Sequence, residues 1–137
     1  MIYIAGPLFT RPEHDFNRKL ADSIINKLKE EVFLPQAECS ELDQDKIFER
    51  CRDGLNMSRL VVAILDGTDS DSGTCWECGY AYALGIPVIG VRTDFRDSND
   101  DRGLNLMLSR SCSRILFLSS KEYDDPIPHI VKSIPKS

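Results

Sequence analysis

The chain has 137 residues and carries 17 basic and 22 acidic residues, a formal net charge of -5. This acidic balance argues against binding of a nucleic-acid polymer, because such affinity comes mostly from neutralising phosphates. The length suits a single domain, and no apolar run approaches the ~20 residues that cross a bilayer, so no membrane association is expected. The first apolar run has no charged segment before it, so no signal peptide is expected either and a cytoplasmic location is predicted.

Short apolar runs alternate with helical patterns along the chain. Strands are predicted over residues 1–5, 32–34, 60–65, 87–91 and 114–118. The spacing of apolar residues predicts helices starting near Thr10 and ending at Leu28, then over 45–57, 74–84, 104–108 and 127–134, with loops at 36–43 and 92–103. In the second helix the inward positions are predicted to be Ile47, Cys51 and Leu55.

Strands that alternate with helices predict an α/β domain with a parallel sheet and right-handed crossovers. We predict one flavodoxin-like domain over residues 1–137, a three-layer sandwich with five parallel strands in the order 2-1-3-4-5. That order brings residues 5–9 beside 66–77 at the carboxyl edge of the sheet, with 92–94 on the same edge. Ligands of open α/β sheets bind at such a position.

Several carboxylates follow the central strand. Asp66, Asp69 and Asp71 crowd one turn, and Glu77 follows in the next helix. Asp66, Asp71 and Glu77 are therefore the first candidates for a site. Paired carboxylates suit glycosyl transfer, in which one attacks the anomeric carbon and an acid protonates the leaving group. Because a helix amino terminus favours negative charge, Glu77 is expected to be ionised at neutral pH.

Glu77 also has a purely structural interpretation, because Thr74 and Glu77 have the spacing of a capping box. The residues present do not match the motifs of other chemistries. The glycines form neither a P-loop nor a dinucleotide fingerprint, and the turn lacks the spacing of a calcium loop. Cys75 and Cys78 have redox spacing but enclose a Trp and a carboxylate, and no second pair of ligands completes a zinc site. We therefore predict no metal and no cofactor, and five reduced cysteines.

Three patches resemble the nucleoside 2-deoxyribosyltransferase family, in that family's order. They are Tyr3-Ile4-Ala5-Gly6-Pro7-Leu8-Phe9, then Asp66-Gly67 with Asp71-Ser72-Gly73-Thr74-x-x-Glu77-x-Gly79-x-Ala81, and then Asn105-Leu106-Met107. The resemblance implies an enzyme that cleaves the N-glycosidic bond of 2′-deoxynucleosides through a covalent deoxyribosyl-glutamate and passes the sugar to another nucleobase. It implies as partners a deoxynucleoside or deoxynucleotide, a free nucleobase and a second copy of the chain.

Residue roles also follow from the resemblance. Glu77 is implied to be the nucleophile, and Tyr3 to orient its carboxylate through the phenol. Asp71 is implied to contact the sugar or the base, and Phe9 to cover the base. Asn105 is implied to reach the 5′-hydroxyl in the neighbouring subunit's site. The other matched positions implied at the substrate are Gly6, Asp66, Gly73 and Met107, the last beside Asn105.

One position departs from the family pattern. Where the helix before the central strand usually has Asp or Asn, which helps handle the proton of the base, this chain has Cys51. Asp53 is a poor substitute, because two residues along a helix turn it by about 200°. Either Asp71 supplies the proton or the preferred base differs.

Two alternatives to a transferase stay open. The 2′-deoxynucleoside 5′-monophosphate N-hydrolases resemble this chain in fold and glutamate, and pass the sugar to water. Phosphate contacts for such a substrate could come from Arg11, Ser72, Arg92, Ser109 and Ser111. The other alternative is a nucleotide-binding protein without catalysis, against which the presence of both Glu77 and Tyr3 argues.

Overall fold

The computed structural model describes residues 1–96 and 103–137. Its strands are β1 (Ile2–Ala5), β2 (Val32–Phe33), β3 (Leu60–Ile64), β4 (Val88–Arg92) and β5 (Arg114–Phe117). Its helices are α1 (Arg11–Leu28), α2 (Pro35–Glu38), α3 (Gln44–Asn56), α4 (Ser72–Ala83), α5 (Leu106–Ser111) and α6 (Ile127–Ser133). None of the helices in these two ranges is long and apolar enough to cross a membrane.

All five strands pair in parallel, in the order β2-β1-β3-β4-β5. This confirms the predicted sheet. Every residue of β1, β3 and β4 is buried, as expected of parallel strands covered by helices on both faces. Alternate strand residues face two apolar layers, one packed by α1 and α6 and the other by α3, α4 and α5. The three-layer sandwich is therefore also confirmed.

The predicted loop at 36–43 is partly wrong, because α2 forms there. Pro35 lies in its first turn, where a missing backbone N–H costs nothing. The inward position of Ile47 is wrong as well. All of residues 41–50 are exposed, and Ile47 keeps 37% of its surface. Only the carboxyl-terminal half of α3 packs on the sheet, through Gly54 and Leu55.

Gly54 sets how closely α3 approaches the sheet. A Cβ atom at this position would lie 2.6 Å from the ring of Phe33 in β2, which is closer than two carbon atoms can pack. The absent side chain lets the α3 backbone rest directly on that aromatic ring. Cys51, one turn earlier in α3, is carried toward the sheet with it.

The predicted loop from Arg92 to Gly103 begins one residue later than expected, because Arg92 completes β4 and is 2% exposed. Its Nη1 donates to the carbonyl oxygens of Leu65 and Gly67, each at 2.7 Å. Residues 97–102 of that prediction lie outside the described residues. Arg92 therefore ties the chain that leaves β3 to the end of β4.

Candidate active site

A buried tyrosine and a glutamate meet between β1 and α4. The side chain of Tyr3 points to the layer of α3 and α4, and the residue has no exposed surface. Its phenol donates a hydrogen bond to Oε2 of Glu77. The ring of Tyr3 stacks on Phe33 at a centroid distance of 5.0 Å and an interplanar angle of 7°. A donor fixed in this way holds one carboxylate oxygen of Glu77, and the other has no hydrogen-bond partner among the described residues.

Asp71 begins α4. Its Oδ2 accepts from the backbone N–H and from the hydroxyl of Thr74, both at 2.9 Å. The capping-box interpretation of Glu77 is therefore wrong. The N-cap is Asp71, three residues before Thr74, so Glu77 lies in the second turn of the helix and bonds to Tyr3 instead. Gly73 packs close to the same cap, since a Cβ there would lie 3.3 Å from Oδ2 of Asp71.

The pKa of Glu77 is raised to about 7. Burial is the main cause; the hydrogen bond from Tyr3 lowers the pKa, and the charge of Asp71 raises it. The prediction that Glu77 is ionised at neutral pH is therefore met only in part. The favourable field of a helix terminus fades within its first turn, whereas Glu77 lies in the second. Burial, and then the charge of Glu77, also raise the pKa of Tyr3, which keeps the phenol protonated as a donor.

Glu77→Gln is expected to stabilise the folded protein at pH 8 and to change its stability little at pH 5. The folded pKa of about 7 lies above the ordinary value of 4.5, so the folded state retains a proton that the unfolded chain has released. The free energy of unfolding of the wild type therefore falls as the pH rises between these two values, and Gln avoids this loss. We expect a difference of about 1–3 kcal/mol at pH 8.

Urea unfolding at pH 5, 6, 7 and 8 measures this difference, with the exposed Glu122→Gln as the matched control. The control should show no such trend. A difference between Glu77→Gln and the wild type that stays constant over the four pH values would contradict the raised pKa.

One cysteine lies beside the tyrosine and contacts a second one. Cys51 in α3 is half-buried, and its thiol interacts with the Tyr3 phenol closely enough to help raise the pKa of Tyr3. Its sulfur lies 3.6 Å from that of Cys39, the residue that caps the carboxyl end of α2. Asp53 is exposed and pairs with Arg52, so it does not take the place of Cys51. Cys39 had no role in the sequence analysis, because it falls in a segment predicted as loop and its spacing from the other cysteines matches no motif.

Asp66 is not brought together with Glu77. Its Oδ1 accepts from the backbone N–H of Thr93 at 2.6 Å and of Asp94 at 2.9 Å, and its Oδ2 from the hydroxyl of Thr93 at 2.5 Å. Asp66 therefore joins the ends of β3 and β4. It lines a cavity of about 450 Å³ on the α1 side of the sheet, together with Pro7 and Asn17.

The loop after β1 leaves the sheet at Gly6. A Cβ atom there would lie 3.1 Å from Cβ of Ile64, so the small residue keeps this loop against the end of β3. Phe9, at the far end of the loop, is 76% exposed. The residue predicted to cover the base is thus at the surface of a single protomer.

Asn105 and Met107 lie on the other flank of α4 from Glu77. Asn105 caps α5, its Oδ1 accepting from the N–H of Met107 at 2.8 Å. Both residues line a mostly apolar cavity of about 740 Å³ between α4 and α5, with Gly79 and Tyr82 of α4. Glu77 instead faces the α3 side. Within one protomer, therefore, the third matched patch does not reach the Tyr3–Glu77 pair.

Several other predicted contacts can be placed. Arg92 is wrong as a phosphate ligand, because it is buried and bonded to carbonyl oxygens. Burial raises the pKa of Cys75 and of Cys78, so neither is an activated thiol of the kind that redox motifs use. Within residues 1–96 and 103–137, no group of three or more His, Cys, Asp or Glu side chains is arranged to hold a metal ion.

A family model described as nucleoside 2-deoxyribosyltransferase matches residues 2–108 of the chain. No curated protein has a significant sequence match. Among solved structures, a conserved protein from Enterococcus faecalis V583 is 28% identical, with 97% of this chain and 98% of that one covered and a TM-score of 0.75. A 2-deoxyribosyltransferase from Bacillus psychrosaccharolyticus is 25% identical over 90% and 91% of the two chains, with a TM-score of 0.68. A CMP N-glycosidase from Clostridium botulinum is 18% identical over 97% and 98%, with a TM-score of 0.61, a likeness in fold alone.

Proposed function

This chain belongs to the nucleoside 2-deoxyribosyltransferase family, and from that membership we propose that it cleaves the N-glycosidic bond of 2′-deoxynucleosides and transfers the sugar to a second nucleobase. The observation that carries the proposal is the contact between Tyr3 and Glu77. One carboxylate oxygen accepts from the buried phenol, and the other is free to approach an anomeric carbon. A side chain held in one orientation loses less entropy when it reacts.

In the proposed first step, Oε1 of Glu77 attacks C1′ of the deoxynucleoside. The C1′–N bond breaks, its electron pair goes to the nitrogen of the base, and the base leaves with a proton. In the second step, a ring nitrogen of the incoming base attacks C1′, the ester bond breaks, and Glu77 regains its carboxylate while that nitrogen loses its proton. Because its pKa is about 7, about half of Glu77 is in the reactive ionised form at neutral pH.

Asp71 is our candidate for the group that handles the proton of the base. Its Oδ2 is engaged with Thr74, while its Oδ1 has no hydrogen-bond partner in the described part of the chain. Asp71 is also close enough to Glu77 to raise the pKa of Glu77, so the two carboxylates belong to the same site. Asp53 is excluded from this role because it lies on the exposed side of α3, paired with Arg52.

We propose that the active unit is a homodimer, formed through the outer face of α4 and the adjoining α5. Gly79 lies on this face, and a Cβ there would meet no atom within 4 Å. Around it are the exposed side chains of Tyr82 at 64%, Leu106 at 55% and Met107 at 77%. A two-fold axis near Gly79 would place α5 of one copy on the Glu77 flank of the other. Asn105 would then reach the Tyr3–Glu77 pair of the partner, although it does not reach that pair in its own protomer.

Incubation with deoxyadenosine, with and without free cytosine, tests the proposed reaction. Chromatography should show adenine and deoxycytidine when cytosine is present, because the sugar passes from Glu77 to the new base. Free deoxyribose as the main product in both incubations would instead identify a hydrolase. Absence of turnover, with nucleoside bound, would support the non-catalytic alternative and overturn the proposal.

Hydrolysis is the second candidate because of one observation. Phe9, which the resemblance implies to cover the base, is 76% exposed in the protomer, and a site that it leaves uncovered would admit water to the sugar ester. A parallel incubation with deoxyadenosine 5′-monophosphate tests for a hydrolase of monophosphates. Arg92 is bonded to carbonyl oxygens and cannot bind the phosphate, so we expect no preference for the monophosphate. A strong preference for the monophosphate would favour that alternative.

A further inference from the structure

Cys39 and Cys51 are the two thiols of the described chain whose sulfur atoms are in hydrogen-bond contact, at 3.6 Å. Both are half-buried and both are reduced in the structure. They come from separate elements, the end of α2 and the middle of α3. An ion pair between Glu38 and Arg50, each the chain neighbour of one of these cysteines, holds the two elements together at 2.5 Å.

The gap between the two sulfurs is small compared with what the local chain can absorb. A disulfide needs the sulfurs at about 2.05 Å, so they must move closer by about 1.5 Å. Residues 40–43, which follow Cys39, are exposed, and Glu41 has a left-handed backbone with φ of 65°. Because residues 40–43 contribute no side chain to either apolar layer, this turn can shift without disturbing the core.

We propose that Cys39 and Cys51 form a reversible disulfide that lowers the activity of the Tyr3–Glu77 site. This inference rests on the proposed function for its effect on catalysis, but not for formation of the bond. With hydrogen peroxide as the oxidant, one thiol gives up its proton and the thiolate attacks a peroxide oxygen. The thiolate becomes a sulfenic acid, and the hydroxide that leaves takes up the proton as water. The second thiol then attacks that sulfur, a second water leaves, and the two cysteines together have lost two electrons and two protons.

The link to the site is the side of Cys51 that faces Tyr3. In the reduced protein the Cys51 thiol is paired with Cys39, packs against the apolar layer that contains Tyr3, and helps to raise the pKa of the phenol that holds Glu77. Oxidation removes the S–H group and draws the sulfur toward α2. The phenol then loses a neighbour on one side while it still donates to Glu77 on the other. We expect the rate of deoxyribosyl transfer to fall about fivefold, the size of effect that loss of one weak polar contact produces.

The oxidation is expected to be slow. Burial, and then the hydrogen bond with Cys51, raise the pKa of Cys39 to about 12, so little Cys39 thiolate is present at neutral pH. Because thiolates are the reactive form, the bond should form over about an hour rather than at once. This rate separates it from the rapid response of dedicated peroxide sensors.

The full-length protein treated with hydrogen peroxide and digested without reductant should yield a peptide pair joined through Cys39 and Cys51, two hydrogen masses lighter than its components. Cys39→Ser should block the bond, and Cys75→Ser should leave it intact, because that residue lies in α4 and donates only to the carbonyl of Ser70. Absence of the joined peptide pair in the wild type would overturn the proposed disulfide. So would its appearance only in unfolded protein.

The effect of the disulfide on the Tyr3–Glu77 site is measured by two readouts. Deoxyribosyl transfer should fall about fivefold or more in the oxidised wild type and recover with dithiothreitol, whereas Cys39→Ser should keep its rate under peroxide. Independently, the NMR signal of the Tyr3 ring, assigned with Tyr3→Phe, should move on oxidation in the wild type only. A bond that forms while neither signal nor rate changes would overturn the coupling. A moving Tyr3 signal in a protein that never turns over deoxynucleosides would support the coupling and count against the proposed function alone.

Discussion

Glu77→Gln and Glu77→Ala are both expected to lose several orders of magnitude in deoxyribosyl transfer while still binding nucleoside. Gln keeps the shape of the side chain and can accept from Tyr3, but its amide does not attack an anomeric carbon. Ala loses the contact with Tyr3 as well. Steady-state rates measure the loss, and binding is followed separately by calorimetry. Glu122→Gln, an exposed change of the same chemistry, should keep the wild-type rate.

A covalent adduct would identify the nucleophile directly. After reaction with a 2-fluoro-2-deoxy arabinosyl nucleoside, mass spectrometry should find the sugar on the peptide that contains Glu77, since the fluorine slows breakdown of the ester more than its formation. An adduct on Asp66 or Asp71 would end the assignment, as would a Gln variant with a near-normal rate. Because ionised Glu77 is required, the rate should also rise with pH below about 7.

A mixture of two inactive proteins is expected to regain activity. Asn105→Ala should bind substrate weakly and turn over slowly without unfolding, and Glu77→Ala should not turn over. If Asn105 completes the partner's site, each mixed dimer has one site with both native residues. With random exchange of subunits, about a quarter of all sites would then be intact.

The complementation is measured as transfer activity after equal amounts of the two variants have exchanged subunits. Each variant mixed with wild-type protein gives the control for exchange. Activity no higher than that of the separate variants would contradict the shared site, provided that exchange is seen. A fully active monomer in light scattering would contradict it independently.

The order of the sheet was predictable because each strand is a short apolar run that ends at Gly, Pro or a charged turn. Residues 60–65 are an example: six apolar residues in succession are typical of a strand buried on both faces. The predictions that were wrong concern details that depend on packing. Ile47 has the spacing of an inward residue, but the first half of α3 lies beyond the apolar layer, and no local pattern shows where a helix leaves its sheet.

The contact between Tyr3 and Glu77 followed from the resemblance, and the structure has it. The ionisation of Glu77 did not follow, because it depends on how deeply the carboxyl group is buried, and depth is a property of the assembled layers. Asp66 shows the opposite case. It lies at the carboxyl edge where a ligand is expected, yet both of its oxygens accept hydrogen bonds from the residues that follow β4, Oδ1 from backbone N–H groups and Oδ2 from the Thr93 hydroxyl.

Gly54 controls the spacing between α3 and the sheet beside the Tyr3–Glu77 pair. A glycine within a helix lowers helix stability by about 1 kcal/mol relative to alanine, but here a Cβ atom would lie only 2.6 Å from the Phe33 ring. Adding one methyl group would act as a spacer beneath α3 and lift Cys51 away from Tyr3. The distance between α3 and the Tyr3–Glu77 pair is therefore set by the contact between Gly54 and Phe33.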